Sequence, residues 1–177
     1  ESHNTHKSSA NSSRSSALSL LTPGLGKRIL LIDHQDSFVH TLANYLRQTG
    51  ASVETTRYGV TQDEIARMQP DLVILSPGPG KPSDFNVSGT ITSCVALRIP
   101  IFGVCLGLQG IVEHFGGELG VLDYPMHGKP STITVSKERA GAVFDGIPTS
   151  FTVARYHSLY ATSTPSVLRT TAATEGG

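Results

Sequence analysis

One of the two cysteines, Cys105, stands where a strand should end and a helix should begin. It follows the apolar run 101–104, has Gly103 and Gly107 on either side, and precedes a helical apolar pattern. Glycines permit a sharp strand-to-helix turn, which lifts a side chain out of its sheet. The N–H groups and dipole of a helix N-terminus favour the thiolate, the reactive form of a thiol. The pattern predicts a nucleophile for acyl chemistry on a small substrate.

Two further features could complete a site around this thiol. Gln109 lies four residues after it, so its side-chain amide shares a helix face with the sulfur and could hold a polar substrate. Residues 76–80, with the sequence SPGPG, cannot be helical and offer backbone N–H groups at Gly78 and Gly80. With the N–H of Leu106, this loop could form an oxyanion hole. An isolated buried cysteine is more often a small hydrophobe, but the loop, the amide and the glycines favour catalysis here.

The surrounding pattern predicts an α/β fold with a mostly parallel, open sheet flanked by helices. Apolar runs at 29–32, 72–75 and 100–104 are typical of strands buried on both faces, and helical patterns separate them. In such sheets ligands bind beyond the carboxyl ends of the strands. Asp33, Ser76 and Cys105 follow three of these runs and should therefore converge.

Finer expectations concern helix faces and the end of the chain. Two helices should each bury one apolar stripe, formed by Phe38, Leu42, Tyr45 and Leu46 in the first and by Leu108, Ile111, Val112 and Phe115 in the second. After Gly117, short strands at 132–136, 151–156 and 168–172 predict a smaller antiparallel part. Cys94 should pack in a helix and Asp36 should cap one. His34, His40 and His114 should lie at the surface or at an edge.

Composition excludes several functional classes. The chain has 177 residues and a formal net charge of +0, which suits one domain and predicts no nucleic-acid partner. No apolar run approaches the roughly 20 residues of a membrane helix. Two cysteines are not a disulfide framework or a zinc motif, which favours a cytoplasmic protein without a metal site. Residues 1–26 are Ser-rich and are predicted to be a disordered linker, with a transit peptide as the alternative, and 27–177 the folded domain.

Four motifs in order resemble the class I (triad) glutamine amidotransferases, most closely the amidotransferase component of anthranilate synthase. They are Gly103-Val104-Cys105-Leu106-Gly107-Leu108-Gln109, the 76–80 loop, His127-Gly128-Lys129 and Arg155-Tyr156-His157-Ser158-Leu159. The resemblance implies a flavodoxin-like fold and attack by Cys105 on glutamine, giving a glutamyl thioester and ammonia. It implies an oxyanion hole at Gly80 and Leu106 and a glutamine site formed by Gly78, Pro79, Gly80, Gln109, Ser158 and Leu159.

The resemblance also implies a partner. Ammonia would pass to a chorismate-binding synthase domain or subunit, most simply one fused ahead of residues 1–26. We expect no cofactor in this domain and Mg²⁺ only in the synthase part. The runner-up is the component of 4-amino-4-deoxychorismate synthase, and a catalytically dead docking module is the alternative from another class.

One departure from the family pattern affects activity. The family's base and its orienting acid lie in a His-Pro-Glu motif near the C-terminus, and the chain contains no such motif. Without a base the thiol is poorly activated. We therefore expect an incomplete domain with negligible glutaminase activity when these 177 residues act alone.

Overall fold

The first compact unit of the computed structural model is built around a parallel sheet. The structure describes residues 22–138 and 140–174, and its contacts divide them at Gly107 into two units. In the first unit the strands are β1 (Arg28–Asp33), β2 (Ser52–Arg57), β3 (Leu72–Leu75) and β4 (Ile101–Gly103). They pair in the order β2-β1-β3-β4, and every pairing is parallel.

Helices alternate with these strands along the chain, and one helix follows the last strand, as the alternating pattern predicted. They are α1 (Val39–Gln48), α2 (Gln62–Met68), α3 (Val87–Ala96) and α4 (Leu106–His114), with a short 3-10 helix at Pro82–Phe85. The capping box of α2 is present: Glu64 N–H donates to Thr61 Oγ1, and Thr61 N–H donates to a Glu64 carboxylate oxygen at 2.8 Å. None of the helices in the described residues is both long and apolar enough to cross a lipid bilayer.

The core of the first unit lies on the two central strands. Leu31, Ile32, Val73 and Leu75 are each 0% exposed, as expected of strands covered on both faces. Cys94 is also fully buried, in agreement with its predicted packing role. The α/β prediction with a mostly parallel sheet is confirmed.

The predicted apolar stripe of α1 was wrong at two positions. Phe38 and Tyr45 are each 62% exposed, whereas Val39 and Ala43 are buried. The helix begins at Val39, so Phe38 precedes its first turn and the sheet-facing positions are 39, 42, 43 and 46. Asp36 does not cap the first residue of the helix. Its Oδ1 accepts the N–H of Phe38, the residue before the helix begins, at 2.7 Å.

The second unit contains an antiparallel sheet with longer strands than predicted. β5 (Glu118–Val135) lies between β6 (Ser150–Ser163) and β7 (Ala172–Thr174), and a 3-10 helix covers Gly141–Phe144. The strand predicted at 168–172 was therefore misplaced, and those at 132–136 and 151–156 are only parts of β5 and β6. Register shifts interrupt the β5–β6 pairing, which lets β5 include prolines and glycines that indicate turns.

The predicted stripe of α4 was also partly wrong. Val112 is buried, but Leu108 is 54% exposed and Phe115, which lies past the helix end, is 40% exposed.

The start of the described chain is bound to the first unit. Residues 23–26 form turns, and Gly24 N–H donates to the Thr49 carbonyl at the end of α1. The rest of the predicted linker, residues 1–21, lies outside the described residues, so that boundary stays a prediction.

Candidate active site

Cys105 occupies a strained turn between β4 and α4. Its φ of 51° lies in the left-handed region, which non-glycine residues adopt at a cost of roughly 1–3 kcal/mol. Val104 N–H donates to the Leu75 carbonyl at 3.0 Å, and Gly107 N–H donates to the Val104 carbonyl at 3.0 Å. The first bond attaches the turn to the neighbouring strand β3, and the second closes the turn itself. The predicted strand-to-helix turn is present, and it presents a half-buried thiol at the first turn of a helix.

The electrostatics of this thiol differ from the expectation. Burial raises the pKa of Cys105 above its ordinary value, the hydrogen bond from the Leu106 N–H opposes that shift, and the Asp36 carboxylate adds to it. The helix N-terminus therefore acts in the predicted direction, but burial outweighs it. The thiol is protonated at neutral pH and needs a base before it can attack.

Replacing Asp36 by Asn should make Cys105 more reactive. The substitution removes a negative charge that disfavours the thiolate, and the amide oxygen can still accept the Phe38 N–H. We expect iodoacetamide to alkylate Cys105 about two- to fivefold faster at pH 8, the effect of one partly screened charge. The rate, followed by mass spectrometry from pH 7 to 10, should converge with the wild-type rate once both thiols are ionised.

Two controls accompany this measurement. Asp33→Asn is a matched change at a carboxylate that pairs with Arg57 instead, at 3.5 Å, and should leave the rate unchanged. Cys94 should stay unmodified, since burial raises its pKa to about 11. An Asp36→Asn rate equal to or below the wild-type rate would show that this carboxylate does not act on the thiol.

The 76–80 loop begins where β3 ends, beside the end of β1. Ser76 is fully buried, its N–H donates to the Ile32 carbonyl, and its Oγ donates to the Pro77 carbonyl at 2.7 Å. The carboxyl ends of β1, β3 and β4 are adjacent, so Asp33, Ser76 and Cys105 follow neighbouring strands as predicted. The Asp33 side chain bonds the N–H of Gln35 and pairs with Arg57, so its bonds stabilise the turn after β1.

Unused backbone donors distinguish this loop. Neither the Gly78 N–H nor the Gly80 N–H donates to an acceptor in the part of the chain that the structure describes. A Cβ on Gly78 would lie 3.3 Å from Leu106 Cδ1, so Gly78 adjoins the residue that directly follows Cys105. Backbone donors next to a nucleophile are what an oxyanion hole requires.

Gly80 adopts a φ of 69° and lies against Asp84. Pro79, between the two glycines, is exposed. Both residues remain accessible to a ligand.

The other predicted glutamine-binding residues lie in the second unit, where a chain of hydrogen bonds joins them. Gln109 Nε2 donates to the Leu159 carbonyl at 3.2 Å, and His157 Nδ1 donates to the same oxygen at 2.8 Å. Arg155 Nε donates to His157 Nε2 at 3.0 Å, which fixes the imidazole in its neutral Nδ1–H form. Ser158 lies between the two bonded residues, half-buried. Both ring nitrogens of His157 are engaged in these bonds, which indicates a structural role for this side chain.

Two residues near the thiol were missed or misread. His34 is fully buried, not at the surface, since its ring packs against Phe85 and bonds the carbonyl of Ser76. Asp36 was recognised only as a cap, although its charge acts on Cys105. A histidine immediately after a buried strand was the available indication of the first, and no sequence pattern indicated the second.

The turn at Cys105 and the adjacent donors are features of thiol acyl-transfer enzymes, and comparison with known families specifies the class. Residues 30–177 match the family described as "Glutamine amidotransferase class-I". The chain belongs to the class I glutamine amidotransferase family.

Similar proteins with known names indicate a group within this family. "Anthranilate synthase" of Azospirillum brasilense is 56% identical over 156 residues, which are 87% of this chain and 21% of the longer protein. "Aminodeoxychorismate/anthranilate synthase component 2" of Bacillus subtilis is 38% identical over 152 residues, 84% of this chain and 77% of that protein. The chain thus spans only about a fifth of the Azospirillum protein.

A solved structure agrees on the fold. A Thermoplasma acidophilum protein described as a GMP synthase subunit superposes with a TM-score of 0.74 at 21% identity, covering 84% of this chain and 73% of that one.

Proposed function

We propose that this domain hydrolyses glutamine through a Cys105 thioester and delivers the ammonia to a chorismate-aminating synthase that makes anthranilate. The observation that carries the proposal is the strained Cys105 turn next to a loop in which the Gly78 and Gly80 N–H groups have no acceptor in the described residues, with Gly78 against Leu106. Family membership supplies the reaction class.

The reaction has two steps. The Cys105 sulfur attacks the side-chain amide carbon of glutamine, and the S–H proton passes to a base. The C–N bond then breaks, the proton goes to the departing nitrogen, and ammonia leaves a glutamyl thioester. Water adds to the thioester carbon, the C–S bond breaks, and glutamate and the thiol are released.

The backbone donors act on the charge that develops. The N–H groups of Leu106 and Gly80 stabilise the oxyanion, and loss of one such donor costs roughly 10²–10³ in rate. Gly78, Pro79 and Gly80 border the substrate, and Gln109, Ser158 and Leu159 hold its polar groups.

Activation of the thiol needs a group that this chain does not contain. Cys105 is protonated at neutral pH, and the charged neighbour that acts on it is the Asp36 carboxylate, which disfavours ionisation. No His-Pro-Glu motif occurs in the 177 residues. We therefore retain the prediction that these residues alone do not turn over glutamine.

The name of the Azospirillum relative supports a synthase partner in the same polypeptide, since this chain matches one fifth of that protein. The partner would bind chorismate and its Mg²⁺, while the amidotransferase domain needs no cofactor for the steps above. A cytoplasmic location, based on the two cysteines, stays a prediction.

A second candidate is amidotransfer to 4-amino-4-deoxychorismate. The name of the Bacillus relative includes both activities, which favours keeping this alternative. The chemistry at Cys105 would be the same, because the synthase part determines where the amine is added.

Product analysis tests the proposal. The complete polypeptide that carries this domain is incubated with chorismate, Mg²⁺ and glutamine labelled with nitrogen-15 at the side-chain amide, and the products are separated by chromatography with mass detection. We expect labelled anthranilate. A labelled para-amino product would establish the folate-type alternative, and absence of any labelled amine would favour a docking module without catalysis.

A further inference from the structure

A buried histidine lies directly behind the oxyanion loop. His34 follows the last residue of β1 and is 0% exposed, one of three fully or nearly buried polar side chains in the described residues. The thiol chemistry proposed above does not use it. A buried ionisable group outside the reaction therefore needs a separate physical reason.

Its hydrogen bonds attach it to the start of the 76–80 loop. His34 N–H donates to Ser76 Oγ at 2.9 Å, and its Nδ1 lies 3.1 Å from the Ser76 carbonyl oxygen. A carbonyl only accepts, so Nδ1 carries the proton and Nε2 is an acceptor. Burial lowers the pKa of His34, which keeps this neutral form. Ser76 Oγ also lies 3.3 Å from His34 Nδ1. These contacts between His34 and Ser76 fix the point where the loop leaves the sheet.

Further contacts reach the rest of the loop. A Cβ on Gly78 would lie 2.8 Å from both the Cβ and the carbonyl oxygen of His34, so this glycine rests on the His34 backbone. The His34 ring meets the Phe85 ring edge-on at 5.6 Å, and Phe85 ends the 3-10 helix that follows the loop. His34 therefore contacts the loop at its start, at its first glycine and just beyond its end.

Within the described residues, the Nε2 atom of His34 makes no hydrogen bond that would stabilise the fold. Nε2 is buried and has no hydrogen-bond partner in the part of the chain that the structure describes. Burying an acceptor without a donor costs stability. A leucine of similar size would avoid that cost but would leave the Ser76 carbonyl without the Nδ1–H donor, so the histidine is explained by its bond to this carbonyl.

We infer that His34 is a positioning residue for glutamine hydrolysis: its bonds to Ser76, from the backbone N–H to Oγ and from Nδ1–H to the carbonyl oxygen, hold the 76–80 loop so that the Gly78 and Gly80 N–H groups face the reacting amide. The inference rests on the proposed function. A positioning role differs from a purely structural one in its expected effect: loss of the bond lowers the rate of glutamine hydrolysis and leaves the synthase reaction unchanged.

A matched pair of variants tests it in the complete polypeptide. His34→Asn places an amide N–H where Nδ1 stands, and His34→Leu has the same shape without a donor. Both lose the ring contact with Phe85, so their difference isolates the hydrogen bond. We expect His34→Asn to retain kcat for glutamine-dependent amination within about threefold, and His34→Leu to lose about 10²-fold, the usual effect of misplacing catalytic groups by about 1 Å.

Two readouts separate positioning from general damage. The loss should fall on kcat more than on KM, since oxyanion donors act in the transition state. Amination driven by added ammonia bypasses Cys105 and should stay at the wild-type rate in both variants. Equal kcat in His34→Asn and His34→Leu, or a parallel loss of ammonia-driven activity, would overturn the inference.

If His34→Leu does not fold, a substitution of Ser76 in the 76–80 loop tests the inference instead. Ser76→Ala removes the Oγ that accepts the His34 N–H and should lower the glutamine-dependent kcat about tenfold with ammonia-driven activity unchanged. A wild-type kcat in that variant would overturn the inference. Failure of the proposed function is distinct, since the unsubstituted polypeptide would then show no glutamine-dependent amination sensitive to Cys105→Ser.

Discussion

Cys105→Ser should abolish glutamine-dependent amination and spare amination driven by ammonia. The hydroxyl occupies the same position at the turn but is a far weaker nucleophile, so we expect a fall of at least about 10³-fold. Both activities are measured by the fluorescence of anthranilate formed by the complete polypeptide. The contrast between the two nitrogen sources shows that the loss lies in ammonia production and not in the synthase.

The second cysteine provides the control. Cys94 is buried in α3 and serves packing, so Cys94→Ala should keep both activities close to wild type. The nucleophile assignment would be wrong if Cys105→Ser retained more than a tenth of the glutamine-dependent rate, or if Cys94→Ala lost it.

Gly107→Ala should damage both the fold and the activity. A Cβ at this position would lie 2.6 Å from Leu75 Cβ and 2.9 Å from Leu75 C, and closer still to the Leu75 carbonyl oxygen. That oxygen accepts the Val104 N–H and cannot move without loosening the turn. Overpacking against backbone should lower the free energy of unfolding by about 3 kcal/mol or more. Displacement of the Cys105 turn should lower the glutamine-dependent kcat by about 10²-fold.

Thermal unfolding and kinetics check this prediction, with Gly59→Ala as the matched change. Gly59 has a φ of 88° and open space around its Cα, so alanine there adds only backbone strain, roughly 1–2 kcal/mol, away from the thiol. Gly59→Ala should lose stability but keep kcat. A Gly107→Ala protein with wild-type Tm and kcat would show that the close approach of Gly107 to β3 is not required.

Continuous apolar runs made the central sheet predictable. The central residues of β1 and all of β3 are apolar because these strands are covered on both faces, and the pattern needs no knowledge of partners. The second unit was harder, because β5 contains Pro125, Gly128 and Pro130, which indicate turns. Register shifts in its pairing with β6 accommodate Pro125 and Gly128, whereas Pro130 pairs with Ala154 in regular register. Such pairing depends on a partner strand far along the chain.

In the candidate site, too, local features were predictable and long-range contacts were not. Local features predicted the Cys105 turn, since the glycines and the apolar run lie within a few residues of the thiol. The burial of His34 was indicated only by its position immediately after a buried strand, because its hydrogen-bond partner, Ser76, lies 42 residues later. The raised pKa of Cys105 was missed for a similar reason: burial and the approach of Asp36 arise only when the Cys105 turn and the turn after β1 pack together.

The most direct test of the central claim is the mass of the peptide containing Cys105 after the complete polypeptide is mixed with glutamine and quenched in acid during turnover. Attack by this thiol predicts one added glutamyl group on Cys105, sensitive to hydroxylamine, with Cys94 unmodified. Glutamine turnover without any adduct on Cys105, or an adduct on another residue, would contradict it.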